Sequence, residues 1–300
     1  MTDRKSMIPG RRVRLALVAL AASVAGVGTA SAQSVQVGIA AAIAGDVNIS
    51  NAAAPKERKI ARKQRVSWGD VIRTQKKSQL QILLLDRSNF TIGSSTRMTI
   101  DRFVYDPNEG RSFFGQVFEG AFRFMSGSKN PNNSATVGTP VGTIGIRGTA
   151  LDGVVGGDAV KIAEKEPFIG KGVRSDKETA TLVVLRGPGP ATDGGLTVGV
   201  ADVTAAGRTV TLDAPEFAAY IPRPGAEPIG PFRLSAAGLS QVQDLLSPSV
   251  ANAGKGNTLG KILAGAAIVG AAAILLSDDD DNGGSGNTRP AGGQQSPTRP

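Results

Sequence analysis

The side chains available for chemistry in this 300-residue sequence are carboxylates, hydroxyls, lysines and arginines, because it contains no histidine and no cysteine. That excludes a Ser-His-Asp triad and any imidazole base. It also excludes disulfides, thiolate nucleophiles, iron–sulfur clusters and cysteine-type zinc sites. Gly260-Lys261 ends like a phosphate-binding loop, but position 255 is Lys255 and the next residue is Ile262, so the loop pattern fails. No nucleophile elbow and no Ser-x-x-Lys signature stands out. The run Asp278 to Asp281 lacks the spacing of a calcium loop and reads as solvated charge. No cofactor and no metal is expected, and the chain reads as non-enzymatic.

Two basic features remain. Lys56 to Arg65 holds six bases and one acid. It reads either as a solvated loop or exposed helix turn, or as a contact for an anionic surface. Arg147 lies between Ile146 and Gly148. If partly buried it needs a carboxylate, for which Asp70, Asp86 and Asp101 are candidates, and it would then pin strands together; the other reading has it bind an anionic ligand.

The elements that must position these residues are strands. Gly (39) and Pro (17) make about a fifth of the chain against a usual share of roughly 12%, which suits short strands and turns better than a helical bundle. Val66 to Thr74 reads as a strand broken at Gly69-Asp70, and Leu80, Ile82 and Leu84 alternate as a half-buried strand. Further strands are expected at Phe90–Ile92, Met98–Tyr105, Phe113–Phe118, Ala121–Met125 (after a break at Gly120), Ala135–Val137 and Gly142–Thr149. Shorter candidates are Val35–Ile39, Val47–Ile49, Leu182–Leu185, Leu196–Val200 and Thr209–Leu212. The charged stretch 161–179 reads as an excursion and 215–231 as extended. Leu234, Leu239, Val242, Leu245 and Leu246 recur at helical spacing, with Ser235 as cap and Pro248 as stop. The expected fold is mainly β: a solenoid-like or rolled, stacked sheet of short strands, plus a C-terminal Ala/Gly-rich helix.

Several segments carry a resemblance. Trp68-Gly69-Asp70-Val71-Ile72-Arg73-Thr74, Asp86 to Phe90, Ile100 to Tyr105 and Gly120 to Gly127 are similar, in that order, to the FecR domain. The most specific piece is Val137-Gly138-Thr139-Pro140 followed by Thr143-Ile144-Gly145-Ile146-Arg147-Gly148-Thr149, which resembles the hallmark V-x-TP … GIRGT. The resemblance covers residues 64–153 and implies a β-rich, solenoid-like or sandwich-like periplasmic module. In FecR-type regulators that module relays an outer-membrane signal, behind a cytoplasmic anti-sigma segment and a transmembrane helix. This chain departs from that plan and reads as a stand-alone exported module. The residues singled out as partner-binding or structural are Trp68, Arg123, Thr139, Pro140, Gly145, Arg147, Gly148 and Thr149. Thr139, preceding proline, is driven to an extended conformation.

The remaining segments set the location. Residues 1–32 form a signal peptide: five basic residues, an apolar stretch Leu15 to Val27, and Ala30-Ser31-Ala32 before a cleavage site. Residues 33–63 are leader strands and a basic linker, 154–233 a β extension with loops, and 234–258 a short helix and linker. Residues 259–277 form an apolar helix, read either as membrane-associated or as docked on protein. Residues 278–300 read as a disordered tail. Residues 1–32 carry net +4 of the chain's +9, and residues 51–150 alone carry net +9. The expected partner is therefore an envelope protein or glycan of acidic character that meets the basic module; nucleic acid is not expected outside the cytoplasm. Binding or scaffolding is the favoured function, and relay of an envelope signal to a membrane regulator is the alternative.

Overall fold

The computed structural model describes residues 35–247, apart from 107, 109, 128–132 and 188–198. The signal peptide, the 259–277 helix, the tail and most of the strand expected at Leu196–Val200 lie outside these residues.

The strands form two sheets that share one long strand. The first sheet runs in the order β4 (Arg65–Ser67), β1 (Gln36–Ala44), β6 (Gln79–Leu84), β7 (Asn89–Ile92), the second part of β9 (Gly110–Met125), β12 (Ala150–Val155), β13 (Thr181–Leu185), β16 (Phe217–Ile221) and β17 (Ile229–Arg233). The second runs β3 (Ala54–Lys59), β2 (Val47–Asn51), β5 (Val71–Thr74), β8 (Arg97–Asp106), the first part of β9, β10 (Ser134–Thr139), β11 (Gly142–Arg147), β14 (Val200–Ala205) and β15 (Arg208–Leu212). All these ladders are antiparallel except β9–β10. The mainly-β expectation holds, with many short strands in open sheets. A solenoid form is not seen: all of these ladders but β9–β10 are antiparallel, so the strands do not stack as parallel rungs.

Phe113–Phe118 and Ala121–Met125 are one strand, not two. Residues up to Glu119 pair with β8, and Gly120 to Met125 pair with β12. The crossing is made at Gly120, which has φ +93° and whose Cβ, if present, would lie 2.4 Å from the Thr96 Cα. Only glycine satisfies both conditions. The Thr96 hydroxyl clamps the crossing by accepting from the Ala121 N–H at 2.9 Å and donating to the Ala121 carbonyl at 3.1 Å.

Between the sheets lies one core. Val37, Ile82, Phe90, Phe122, Phe124, Leu151 and Val183 face it from the first sheet, and Ile49, Ile72, Met98, Phe113, Val137, Ile144 and Val203 from the second. Phe90 stacks on Phe122 with ring centroids 5.7 Å apart. Strands β12 and β13 of the first sheet are buried on both faces. In β13, Val183 and Leu185 point into the shared core, whereas Leu182 and Val184 join a second cluster with Val154, Ala218 and Tyr220. Burial on both sides explains why Leu182-Val183-Val184-Leu185 reads as a continuous apolar run.

The cover on that outer side is helical. Helix α2 (Ala236–Leu246) contributes Val242 and Leu246. Its cap is the expected one, the Ser235 hydroxyl accepting from the Gly238 N–H at 3.0 Å. Helix α1 (Gly157–Ala163) contributes Ala159, Val160, Ile162 and Ala163. It overlaps the segment read as a charged excursion: its polar residues face water, and its apolar ones recur at i, i+3 and i+4 over too few turns to stand out. The stretch 215–231, read as extended, holds strand β16 and the start of β17.

Candidate binding surface

The hallmark segment forms a hairpin. Thr139 and Gly142 pair across a turn whose corners are Pro140 and Val141. The Thr139 hydroxyl donates to the Gly142 carbonyl at 3.1 Å, closing the turn from within. Proline's fixed φ suits the first corner of such a turn. Gly148, at φ +61°, turns the chain from β11 in the second sheet to β12 in the first. Thr149 is buried behind it, and its carbonyl accepts from the Ser126 N–H at 3.2 Å. Gly145 has a different role from the close backbone approach that its type suggests. A Cβ there would meet nothing nearer than 3.9 Å.

Arg147 is not buried. Its side chain is 58% exposed on the outer side of the second sheet, and its guanidinium pairs with Asp202 at 2.7 Å. Asp202 sits on β14, beyond the recognisable motifs, and also accepts from the Thr211 hydroxyl at 2.8 Å. Burial alone would raise the Asp202 carboxyl, but the Thr211 and Arg147 hydrogen bonds and the Arg147 charge outweigh it and hold the pKa below the usual value. The three expected partners are engaged elsewhere. Asp70 accepts from Asn51 at 2.9 Å and from the Ser67 N–H at 2.8 Å. Asp86 pairs with Arg111 at 2.9 Å, and Asp101 accepts from the Thr99 hydroxyl at 2.9 Å.

Trp68 packs half-buried against the core and donates its indole N–H to the Phe103 carbonyl at 3.1 Å. Arg123 is inside the fold, on the helix-covered face of the first sheet. Its Nε and Nη2 donate to the two Asp152 carboxylate oxygens at 2.6 and 2.8 Å, and Nη2 also donates to the Gln243 side-chain oxygen Oε1 at 2.9 Å. Arg186 approaches the same carboxylate at 3.6 Å. Burial opposes the Arg123 charge, but the charge and hydrogen bonds of Asp152 outweigh it and raise the pKa. This forked pair joins β9 to β12 and fixes α2 over both.

Sequence reasoning missed the most deeply buried cation among the described residues. Arg111, with a side chain 0% exposed, pairs with Asp86, hydrogen-bonds the Ser88 hydroxyl, and lies over the Phe124 ring at 4.9 Å. Burial lowers its pKa against the pull of Asp86. The available signal was parity: Arg111 shares the inward-facing register of Phe113 and Val117 on β9.

The basic run has the most exposed geometry. It is solvated, but only residues 60–64 form a loop, and they link two strands. Residues 54–59 form β3, the free edge of the second sheet, exposed along its length after Ala54. The chain then crosses to β1, where the Lys63 N–H donates to the Ala40 carbonyl at 2.8 Å and the Ala40 N–H to the Gln64 carbonyl at 2.9 Å. It continues as β4, the free edge of the first sheet. One segment thus closes the same side of both sheets with a row of cations. Lys59 pairs with Asp46 at 3.6 Å, and Glu57 is taken by Arg73 at 3.2 Å. Among the described residues, Lys56, Arg58, Arg62, Lys63 and Arg65 have no carboxylate partner. Charged side chains on an edge strand also block edge-to-edge pairing with other sheets.

Among the described residues no three acidic side chains gather at metal-binding distance. Among the same residues no helix is long and apolar enough to cross a membrane.

Comparison with known proteins gives the family of the central segment. Residues 70–166 match the family model described as FecR protein, so the chain carries a FecR-type segment over that stretch. No curated protein matches the chain. Two crystal structures of a "putative anti-sigma factor" from Parabacteroides distasonis align at 13% and 12% identity, each with a TM-score of 0.35. The alignments cover 53% of this chain and 57% of that protein.

Proposed function

We propose that this protein is a non-enzymatic, exported module of the bacterial cell envelope that binds an acidic protein or glycan along the side formed by residues 54–67. The carrying observation is the row of five cations without carboxylate partners on the free edges of both sheets and the turn that joins them. Such a row raises the local concentration of an anionic partner and steers its approach. Arg147, exposed on β11 and separated from β3 by five strands of the second sheet, is paired with Asp202 and stands apart from this row. Trp68, Thr139, Pro140, Gly148 and Thr149 hold the turns that keep this surface in place, and Arg123 holds the helix layer. The FecR match supports a regulatory role in envelope signalling, in which partner binding on this edge is the input.

The test is capture from envelope extracts and from purified lipopolysaccharide. The variant carries Arg58→Glu, Arg62→Glu and Lys63→Glu together, and Thr209→Ala on the opposite side of the second sheet is the control. The reading expects the wild type and the control to retain an acidic species at low salt and to release it at high salt, where screening shortens to about 3 Å, while the charge-reversed variant retains none. Equal capture by the charge-reversed variant overturns the assignment of the edge.

A further inference from the structure

A second feature lies away from the basic edge. Where β9 crosses between the sheets, a cleft of about 520 Å³ opens between the Phe118–Gly120 stretch, the Pro140 turn, the Gly156-Gly157 entry to α1 and residues 177–179. That volume falls within the range of roughly 300–1,000 Å³ that holds small ligands. Its lining is unlike the edge described above, because both charge signs are present and incompletely paired. Arg97 and Glu119 form a long pair at 3.5 Å with both side chains more than a third exposed. Asp158 is taken by Lys161 at 2.7 Å. Lys177 and Glu178, adjacent in the chain and both exposed, have no ion-pair partner among the described residues. The half-buried Phe118 ring offers an apolar surface, with the Arg97 guanidinium 4.4 Å from its centre.

We infer that this cleft binds a short zwitterionic peptide, or a molecule carrying one. Its carboxylate would be drawn to Lys177 and Arg97, its ammonium to Glu178 and Glu119, and its hydrocarbon part would lie on Phe118. A purely anionic ligand is disfavoured by Glu119, Asp158 and Glu178, and a neutral one leaves the free ammonium and carboxylate of residues 177 and 178 unused. In the envelope location proposed above, such peptides occur free and attached to cell-wall saccharide. That location rests on the proposed function, whereas the cleft chemistry does not.

The experiment is isothermal titration of the protein with Ala-Phe-Ala. Comparison ligands are its N-acetylated, C-amidated form and a disaccharide-tetrapeptide released from peptidoglycan. The free tripeptide should bind, and so should the disaccharide-tetrapeptide, whose N-terminus is amide-linked to the sugar but which keeps a side-chain ammonium and a C-terminal carboxylate. The capped tripeptide should bind about tenfold or more weakly, as expected for the loss of a charge-assisted contact. A tighter fit for the disaccharide-tetrapeptide identifies the cell wall as the source, and equal fits identify free peptide. Lys177→Ala and Phe118→Leu should each weaken binding about tenfold, while the charge-reversed 58/62/63 variant binds as the wild type does. Failure of that last variant to capture an envelope partner would leave this titration unchanged, so the two readings fail separately. No binding at millimolar peptide, equal binding of the capped form, or indifference to both cleft substitutions overturns the inference.

Discussion

Replacing Asp152 with alanine should remove much of the stability of this protein, because it strands a buried cation. The Asp152 side chain is 0% exposed and that of Arg123 only 11%. Loss of the carboxylate leaves Arg123 with Gln243 as its one remaining hydrogen-bond partner among the described residues, and Arg186 without its carboxylate. Breaking a buried pair by removing one member costs about 3–5 kcal/mol. For a folded unit of 150–250 residues, each kcal/mol lowers Tm by roughly 2–4 °C, so the expected fall is about 6–20 °C. The double variant Arg123→Met/Asp152→Leu keeps volume and removes both charges, and it should recover most of the loss. Urea and thermal denaturation of the three proteins measure this directly. The helix layer supplies a second readout: in Asp152→Ala, amide exchange across α2 should accelerate more than in β2 or β5, which lie in the other sheet. A fall of less than about 1 kcal/mol, the scale of an exposed pair, would refute the claim that this fork locks the helix layer to the sheet.

Other outcomes follow from the same geometry. Gly120→Ala should fold poorly or not at all, because the left-handed φ and the 2.4 Å approach to the Thr96 backbone cannot both be kept; soluble yield and circular dichroism report it, and Gly145→Ala, with nothing nearer than 3.9 Å, should be close to neutral. Arg147→Ala should cost little at neutral pH, since its partly exposed pair is worth at most about 1 kcal/mol. Its pH signature is more specific. The Asp202 pKa is depressed in the fold, so its contribution is present above the unfolded value and fades as pH falls through the folded one. The wild type should therefore lose stability more steeply than Arg147→Ala below about pH 4, and identical acid limbs in urea titrations would contradict the Arg147–Asp202 assignment. N-terminal sequencing of protein recovered from the envelope should read from Gln33; a start at Met1 contradicts export with cleavage.

Many strand positions were legible because the central module obeys local rules. Leu80, Ile82 and Leu84 alternate and are buried, and Ser235 caps the helix predicted from Leu234 to Leu246. The hallmark Thr139-Pro140 sits on the turn its chemistry demands. The failures share a physical cause, which is pairing over long separations. Arg147 finds Asp202, and Arg123 finds Asp152 and Gln243, at separations of 55, 29 and 120 residues. Nothing in a local window distinguishes those carboxylates from Asp70 or Asp101. The basic run was misread for a related reason. β3 is a strand because β2 offers it a ladder, while its own residues are charged and exposed, so neither propensity nor alternation marks it.

The family match and the folding unit do not have the same boundaries, and this difference can be tested. Residues 70–166 begin at β5 and end just after α1. In the fold, however, β6 pairs with β1, β5 with β2, β12 with β13 and β11 with β14. Each of those partners lies outside the matched stretch. A fragment limited to 70–166 would forfeit those ladders and uncover core residues that Val37, Ala40, Ile49, Val183, Leu185, Val203, Leu212 and Ile221 now cover. At about 1.5–3 kcal/mol for each of the seven large side chains, the loss is about 10–21 kcal/mol, as large as the 5–15 kcal/mol that typically separates a folded domain from its unfolded chain. The fragment should therefore be unfolded or aggregated, while residues 35–247 should unfold cooperatively as one unit. A dispersed NMR spectrum and a sharp thermal transition from the fragment would show that the outer strands are accessory. Their absence would make the leader strands and the 181–233 extension part of the same module, with the basic edge at 54–67 belonging to it and not to a linker.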